Sequence, residues 1–189
     1  MAHTKYNSIT HGYRGLFGNV VFRWVYGQSV MQSRPDFSNV RWSKAQKVNR
    51  KRFGEAMAYA QKAIKDPEKK LFYEKKAKRR CSACNMAVSD YMLKSKIESI
   101  NLDEYSGKMG DTIRVDAYDK YGIAAVLVFI LNALGQEIES GMAVRDLSDG
   151  LWIYQAMEDF PPGRPGRVIV RVVDHAGNSV TEVKPVLRT

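Results

Sequence analysis

The hydrophobic period of this chain changes near residue 96, and that change constrains the fold more than any other feature. Between residues 44 and 93 apolar side chains recur every three or four positions, as on one face of an amphipathic helix. Beyond residue 96 they occur in short alternating runs, separated by Gly, Asp, Asn and Pro, which is typical of strands and turns. We therefore expect an α+β protein of two modules, residues 1–95 and 96–189.

Two helices are predicted in the first module. The apolar stripe of the first helix consists of Phe53, Ala56, Met57, Ala60 and Ile64. A second helix is predicted to begin after Asp66, which is its N-cap. Pro67 and the acidic Glu68 follow in its first turn. The apolar stripe of the second helix predicts one continuous helix to about residue 93. It consists of Tyr73, Ala77, Cys81, Cys84, Val88 and Tyr91. The short connection favours an antiparallel helical hairpin.

A basic β-ribbon is predicted before the helices, in the stretch GNVVFRWVYGQSVMQSRP, residues 18–35. Residues 1–17 are expected to form a Gly-rich loop. Gly27 supplies the turn, and Pro35 ends the return strand. Both faces of the ribbon carry apolar residues, and a hairpin alone is marginally stable, so the ribbon must lie on the chain's own helices or on a neighbour. Its apolar surface is large for one short helix pair to cover, which favours pairing with another subunit. The predicted self-association residues are Val20, Phe22, Trp24 and Tyr26.

Seven short strands are predicted in the second module, at 97–102, 112–118, 124–132, 137–145, 151–157, 167–174 and 180–187. Turn signals every 8 to 12 residues separate them, which indicates an all-β sandwich of immunoglobulin type without its disulfide. Trp152 is expected to be a core aromatic residue.

Both halves resemble known groups. The C-terminal half resembles bacterial Ig-like modules in IRVDAYDKYGIAAVLVFILNALGQEIESGMA, WIYQA and VIVRVVDHAGNSV. This resemblance implies the sandwich fold and says little about function. The N-terminal half is similar to a group of uncharacterised bacterial proteins in GLFGNVVFR, SRPDFS, AQKVNRKRFGEAMAYAQKAIKDP and NMAVSDYM, which implies a shared architecture.

Charge is distributed unevenly along the chain. Residues 1–97 carry 21 Lys and Arg against 6 Asp and Glu, whereas residues 98–189 carry 9 against 14. Opposite charges on the two halves permit a head-to-tail contact between copies. The basic half also suggests binding of DNA or RNA through phosphate contacts, with Tyr13, Trp24 and Tyr26 available for stacking on bases. The predicted polyanion-binding residues are Arg14, Arg23, Arg34, Lys44, Lys47, Arg50, Lys51 and Arg52.

No catalytic, cofactor-binding or metal-binding set is predicted. The chain contains no GxSxG, HExxH, GxGxxG or P-loop motif. Cys81 and Cys84 form a CxxC without a second pair, and their expected position in the middle of a helix favours buried structural thiols, with metal or redox roles left open. Glu137 and Glu139 are expected on a solvated strand face. Three aspartates lie at predicted strand ends and could hold calcium: Asp116, Asp119 and Asp174. We interpret them instead as residues that form turns.

These patterns predict a non-enzymatic structural or scaffolding protein that self-associates, or docks into a larger assembly, through its ribbon. The alternative is a nucleic-acid-binding protein that uses the basic module in a largely sequence-independent way. A third possibility is a ligand- or sugar-binding surface around Trp152 and Tyr154. Without an 18-residue apolar run or an apolar leader, no membrane insertion is expected and the cytoplasm is the default location. Export by another route, or a place in a phage-like particle, stays open.

Overall fold

A computed structural model describes residues 2–4, 12–78, 81–160 and 166–186. It is a mixed α+β structure with antiparallel sheets, which confirms the predicted class. The chain divides into two compact units, Met1–Arg50 and Lys51–Thr189. The module boundary predicted between residues 95 and 96 is a different division, and it stays a prediction.

The first unit contains a four-stranded antiparallel sheet, which we call the N-terminal sheet. Its strands are β1 (Ala2–Thr4), β2 (Gly15–Phe17), β3 (Val20–Val25) and β4 (Gln28–Ser33), in the order β1-β4-β3-β2. The predicted ribbon is β3 with β4. Strands β1 and β2 lie in the stretch of residues 1–17 that was predicted as loop, because three residues are too few for a recognisable alternation. Gly18, at φ 58°, makes the tight turn that folds β2 back onto β3.

Three helices follow: α1 (Lys44–Lys65), α2 (Pro67–Lys76) and α3 (Ala83–Met92). A capping box begins α1, since Ser43 Oγ accepts from the amide of Gln46 while Gln46 Oε1 accepts from the amide of Ser43. Asp66 caps α2 through its carboxylate, as predicted. Residues of the three helices form one small core: Ala60, Ala63, Tyr73 and Ala87.

The prediction of one continuous second helix is wrong. Helix α2 ends at Lys76, and Ser82 starts α3 by accepting a hydrogen bond from the amide of Asn85. Residues 75–80 include five Lys or Arg, and like charges four positions apart disfavour continued helix. The serine cap then offers the backbone an alternative start. The apolar period continued across this break, and the sequence pattern alone therefore concealed it.

The second unit also contains two four-stranded antiparallel sheets. Their strands are β5 (Lys96–Asn101), β6 (Thr112–Tyr118), β7 (Ile123–Asn132), β8 (Glu137–Met142), β9 (Val144–Arg145), β10 (Trp152–Gln155), β11 (Gly166–Asp174) and β12 (Ser179–Val186). The sheet orders are β5-β6-β10-β9 and β12-β11-β7-β8. Every predicted strand of this region is present. The one predicted at 137–145 is divided into β8 and β9, which belong to different sheets.

Both sheets of the second unit contribute to one hydrophobic core. Its fully buried residues alternate along the strands: Ile113 and Val115 on β6, Val126, Val128 and Ile130 on β7, and Val168, Val170 and Val172 on β11. Each such side chain stabilises the fold by about 1.5–3 kcal/mol. Trp152 is half-buried against this core.

A chain of hydrogen bonds joins the helices to the β11–β12 turn. Tyr73 donates to Asp90 Oδ2 at 2.6 Å, and its hydroxyl lies 2.9 Å from that of Tyr59. Tyr59 in turn donates to the carbonyl oxygen of His175 at 3.2 Å. On the same turn, Asn178 donates its side-chain amide to the carbonyl oxygen of Tyr91 at 3.3 Å. We call this set the helix–sheet joint.

Asp90 is the unusual member of the joint. It is 1% exposed, and its Oδ1 atom has no hydrogen-bond partner within the described residues. Burial raises the pKa of Asp90 to about 6, although the hydrogen bond from Tyr73 acts in the opposite direction. A raised carboxyl pKa means that the folded state binds the proton more tightly than the unfolded state. The contribution of Asp90 to stability therefore falls as pH rises from about 4 to 6, and its burial cost is fully present above that range.

We expect Tyr73→Phe to lower the free energy of unfolding by about 1–3 kcal/mol at about pH 7.5, because a buried carboxylate loses the donor on its Oδ2 atom. Near pH 5 the loss is smaller, since Asp90 is then largely protonated in the folded state. Chemical denaturation at the two pH values measures both effects.

Tyr118→Phe is the matched control, because Tyr118 is an exposed tyrosine on β6, and its effect should stay within about 0.5 kcal/mol. Burial also lowers the pKa of His175, which changes wild-type stability with pH in the opposite sense. Subtracting the unfolding free energy of the wild type at each pH removes the contribution of His175. An equal loss from Tyr73→Phe at both pH values would contradict the assigned role of Asp90.

Candidate protein-interaction surface

Both faces of the N-terminal sheet carry apolar side chains. The strand register places one set on the first face: Phe17, Val20, Phe22, Trp24 and Met31. The opposite face carries a second set: Leu16, Val21, Val25 and Val30. A sheet of this kind needs cover on both sides to remove its apolar area from water.

Part of this apolar area is accessible to solvent. Among the described side chains of the sheet, Val30 at 3% exposure and Ser29 are buried. Phe17 is 80% exposed, and the other exposed members on or beside the sheet are Tyr13, Leu16, Trp24, Val25, Tyr26 and Met31. Of the four predicted self-association residues, Trp24 and Tyr26 are exposed, whereas Val20 and Phe22 are half-buried. Phe22 packs edge-on against Tyr13, with ring centroids 5.8 Å apart.

The tip of the ribbon holds a bulky residue in the left-handed region. Tyr26 has φ 49° and Gly27 has φ 79°, and Val25 pairs with Gln28 to close the two-residue loop. Positive φ at both central positions is the pattern of a type I′ turn, where Asn-Gly is preferred. A tyrosine in this conformation costs about 1–2 kcal/mol. The chain therefore keeps a tyrosine at the tip in a backbone conformation that glycine and asparagine adopt more readily.

We expect Tyr26→Asn to slow hydrogen exchange of the β3 and β4 amides, because Asn tolerates the left-handed region and relieves about 1 kcal/mol of strain. Gly27→Ala should accelerate the same exchange, since a Cβ at φ 79° introduces strain although no atom lies within 4 Å of it. Faster exchange in Tyr26→Asn would show that the Tyr26 side chain stabilises the ribbon by more than the strain costs.

The residues predicted to bind polyanions separate into two groups. Lys44, Lys47 and Lys51 are exposed and lie on one face of α1, because they are three and four positions apart. We call them the lysine stripe. The exposed arginines among the predicted residues are Arg14, Arg23, Arg34 and Arg50.

Several of these arginines have contacts within the fold. Arg23 donates to Gln32 Oε1 at 2.6 Å, on the sheet face opposite Trp24. The Arg50 guanidinium lies 4.1 Å from the centre of the Trp42 ring. Arg52 is half-buried and donates to the carbonyl oxygen of Met92 at 2.9 Å, where it satisfies the C-terminal end of α3. Arg52 is therefore a structural residue of the helical region.

The second unit carries an apolar groove, of about 440 Å³, where β8, β9 and β10 meet. Its apolar lining consists of Met142, Val144, Ile153 and Met157, and we call it the edge groove. Val144 is 73% exposed, and both methionines are exposed as well. Of the two residues named for a possible ligand-binding surface, Tyr154 lines this groove and Trp152 does not. The groove itself was not predicted, because β8 and β9 were predicted as one strand.

Glu139 holds one wall of the edge groove in place. Its carboxylate accepts from the Tyr154 hydroxyl at 2.5 Å and from the amide of Met157 at 2.6 Å. Burial, and then the hydrogen bond to Glu139, raise the pKa of Tyr154. The expectation that Glu139 lies on a solvated face is wrong, because its register partner on β7 is the core residue Ile130. Glu137 is exposed as expected.

The structure places the two cysteines outside the middle of a helix. Cys81 is exposed just before the Ser82 cap, and Cys84 is half-buried in the first turn of α3; both are free thiols. Within the described residues, no three His, Cys, Asp or Glu side chains are grouped so that they could hold a metal ion. No helix in the described part of the chain is long and apolar enough to cross a membrane.

In comparisons with known proteins, no family model and no curated protein matches this chain.

Proposed function

We propose that this protein is a non-enzymatic structural protein that assembles with copies of itself through the N-terminal sheet. The observation that supports this function is the apolar character of both sheet faces together with their exposure. Contiguous apolar patches of more than a few hundred Å² are rare on monomeric proteins and mark interaction sites.

Association through the sheet must offset the motional freedom that the two copies lose. Forming a complex costs about 4–15 kcal/mol in lost motional freedom. Full burial of one large apolar side chain stabilises a complex by about 1.5–3 kcal/mol. Several side chains must therefore be covered together, and the first face alone offers five: Phe17, Val20, Phe22, Trp24 and Met31.

We further propose that residues 96–189 form an immunoglobulin-type sandwich that serves as a rigid body in the assembly. The order β5-β6-β10-β9 corresponds to strands A, B, E and D of that fold, and β12-β11-β7-β8 corresponds to G, F, C and C′. The shared core of the two sheets is consistent with this correspondence.

Self-assembly predicts that the average mass in light scattering rises with protein concentration above the 21.5 kDa of one chain. We expect Phe17→Ser with Trp24→Ser to return the protein to the mass of one chain. Phe17 is 80% exposed and Trp24 is 40% exposed.

A matched control replaces Met109 and Leu134 by Ser, since these apolar residues are similarly exposed but lie outside the N-terminal sheet. The control should assemble like the wild type. A wild-type protein that stays at the mass of one chain at high concentration, in low and in high salt, would overturn the proposal.

Nucleic-acid binding is the second candidate function, and the lysine stripe is the observation that favours it. Its three ammonium groups are exposed, and none forms an ion pair within the described chain. Phosphates bound along the stripe would release counterions, so that affinity would fall as salt rises.

We expect Lys44→Glu, Lys47→Glu and Lys51→Glu together to weaken any DNA binding and to reduce the salt slope by about 0.9 for each phosphate that the variant no longer neutralises. Lys69→Glu with Lys70→Glu on α2 is the charge-reversal control. If neither DNA nor RNA shows a mobility shift at low salt, this function is excluded. A mass in light scattering that falls on nuclease treatment would favour it over self-assembly.

A further inference from the structure

The two cysteines of the chain lie on either side of the start of helix α3. Ser82 is the N-cap of this helix, so that Cys81 precedes the helix and Cys84 belongs to its first turn. The sequence pattern placed both in the middle of a helix, which favoured buried structural thiols. A CxxC pair at the N-terminal end of a helix is instead typical of reactive dithiols.

The two thiols differ in their access to solvent. Cys81 is exposed, and its amide donates to the carbonyl oxygen of Lys78 at 2.9 Å, so its backbone belongs to the turn before the helix. Cys84 is half-buried and packs against the small core of the helical region. An external reagent therefore reaches Cys81 first, and Cys84 is placed to react with whatever Cys81 has bound.

The start of the helix directs the second thiol toward the first. Side chains of an α-helix lean toward its N-terminus, which is the end where Cys81 lies. Ser82 has φ −92° and ψ 161°, an extended conformation that precedes the first helical turn. Rotation about Ser82 changes the separation of the two cysteines while the turns of α3 stay in place. That rotation can bring their Cα atoms to the separation of about 4.4–6.8 Å that a disulfide requires.

Two sulfur atoms suit a disulfide better than a zinc site. Structural zinc takes four protein ligands. In the part of the chain that the structure describes, no third His, Cys, Asp or Glu side chain joins the two cysteines in a group that could hold a metal ion. Packing does not account for Cys81 either, because a cysteine that acts only as a small hydrophobic residue is buried.

The sequence around the pair is strongly basic. Residues 75–89 contain five Lys or Arg and no Asp or Glu. Of these, Lys75 and Lys78 are exposed. Positive charge raises the local concentration of anionic reagents. The disulfide that fits this site best is therefore a small one that carries negative charge, as oxidised glutathione does.

We propose that Cys81 and Cys84 are a redox-active dithiol, which an anionic low-molecular-weight disulfide oxidises to an intramolecular disulfide. The Cys81 thiolate attacks one sulfur of the reagent, whose S–S bond breaks, and a mixed disulfide forms as one thiolate leaves. The Cys84 thiolate then attacks the Cys81 sulfur and releases the second thiolate. Two electrons pass to the reagent, and the two protons of the protein thiols end on the two released thiols.

The test incubates the folded full-length chain with oxidised and reduced glutathione at a series of ratios. Acid stops the exchange, free thiols are alkylated, and the intact mass is measured. We expect the wild type to pass from two alkylated thiols to none, as a single chain that retains no glutathione. This result decides the proposal without any variant.

Single variants test the two roles. Cys84→Ser should stop at the mixed disulfide and keep one glutathione per chain, because no second thiol displaces it. Cys81→Ser should react at least about tenfold more slowly than Cys84→Ser, since its remaining thiol is half-buried. In concentrated urea the two variants should react at similar rates, because the difference in access belongs to the fold. Rates that are already similar in the folded state would overturn the assigned order of attack.

The charge of the reagent has its own test. Added salt should slow oxidation by oxidised glutathione and leave the rate with neutral 2-hydroxyethyl disulfide nearly unchanged, because salt screens the attraction between charges. Equal effects of salt on both reagents would overturn the preference for an anionic disulfide.

Three results for the wild type would overturn the dithiol itself. A chain that keeps glutathione on Cys81, or that forms a disulfide-linked dimer, would show that Cys84 does not reach Cys81. Two thiols that stay free at every glutathione ratio would show that the pair is not redox-active.

Discussion

A sheet with apolar side chains on both faces must be covered on both faces, and this constraint governs the whole structure. The second unit satisfies it internally, because its two sheets bury Val and Ile residues in one common core. The N-terminal sheet does not satisfy it within the described chain, where Val30 is its one deeply buried apolar residue. The proposed self-assembly follows from that difference, since uncovered apolar area makes association favourable.

Two buried carboxylates hold the second unit in shape. Asp90 accepts a hydrogen bond from Tyr73 at the helix–sheet joint, and Glu139 accepts one from Tyr154 beside the edge groove. A buried acid is costly unless hydrogen bonds compensate it. Each carboxylate therefore restricts how neighbouring elements can pack: Asp90 keeps α2 and α3 together, and Glu139 keeps the loop after β10 on β8. The hydrogen bonds of Glu139 also fix Tyr154 and Met157, which line the edge groove.

Much of the fold could be predicted because local signals were complete. Period-two alternation identified β3, β4 and the strands beyond residue 96, and Asp66 with Pro67 identified the start of α2. Strand β2 was too short to recognise. The break before α3 was hidden by an apolar period that continued across it. Of the candidate site residues, Trp24, Tyr26 and the lysine stripe are exposed. Arg52 is half-buried and donates a hydrogen bond to the carbonyl oxygen of Met92.

The sequence by itself determined most of the strands, the starts of α1 and α2, the uneven charge, and the two-sided apolar ribbon, because these depend on residue spacing and composition. Only the tertiary structure decided which acids are buried, where the two sheet edges meet, and that Tyr26 occupies the left-handed region. Glu139 shows the physical reason. Its neighbours in sequence predict a solvated strand position, but its donors come from residues 154, 157 and 158, and only folding brings them to it.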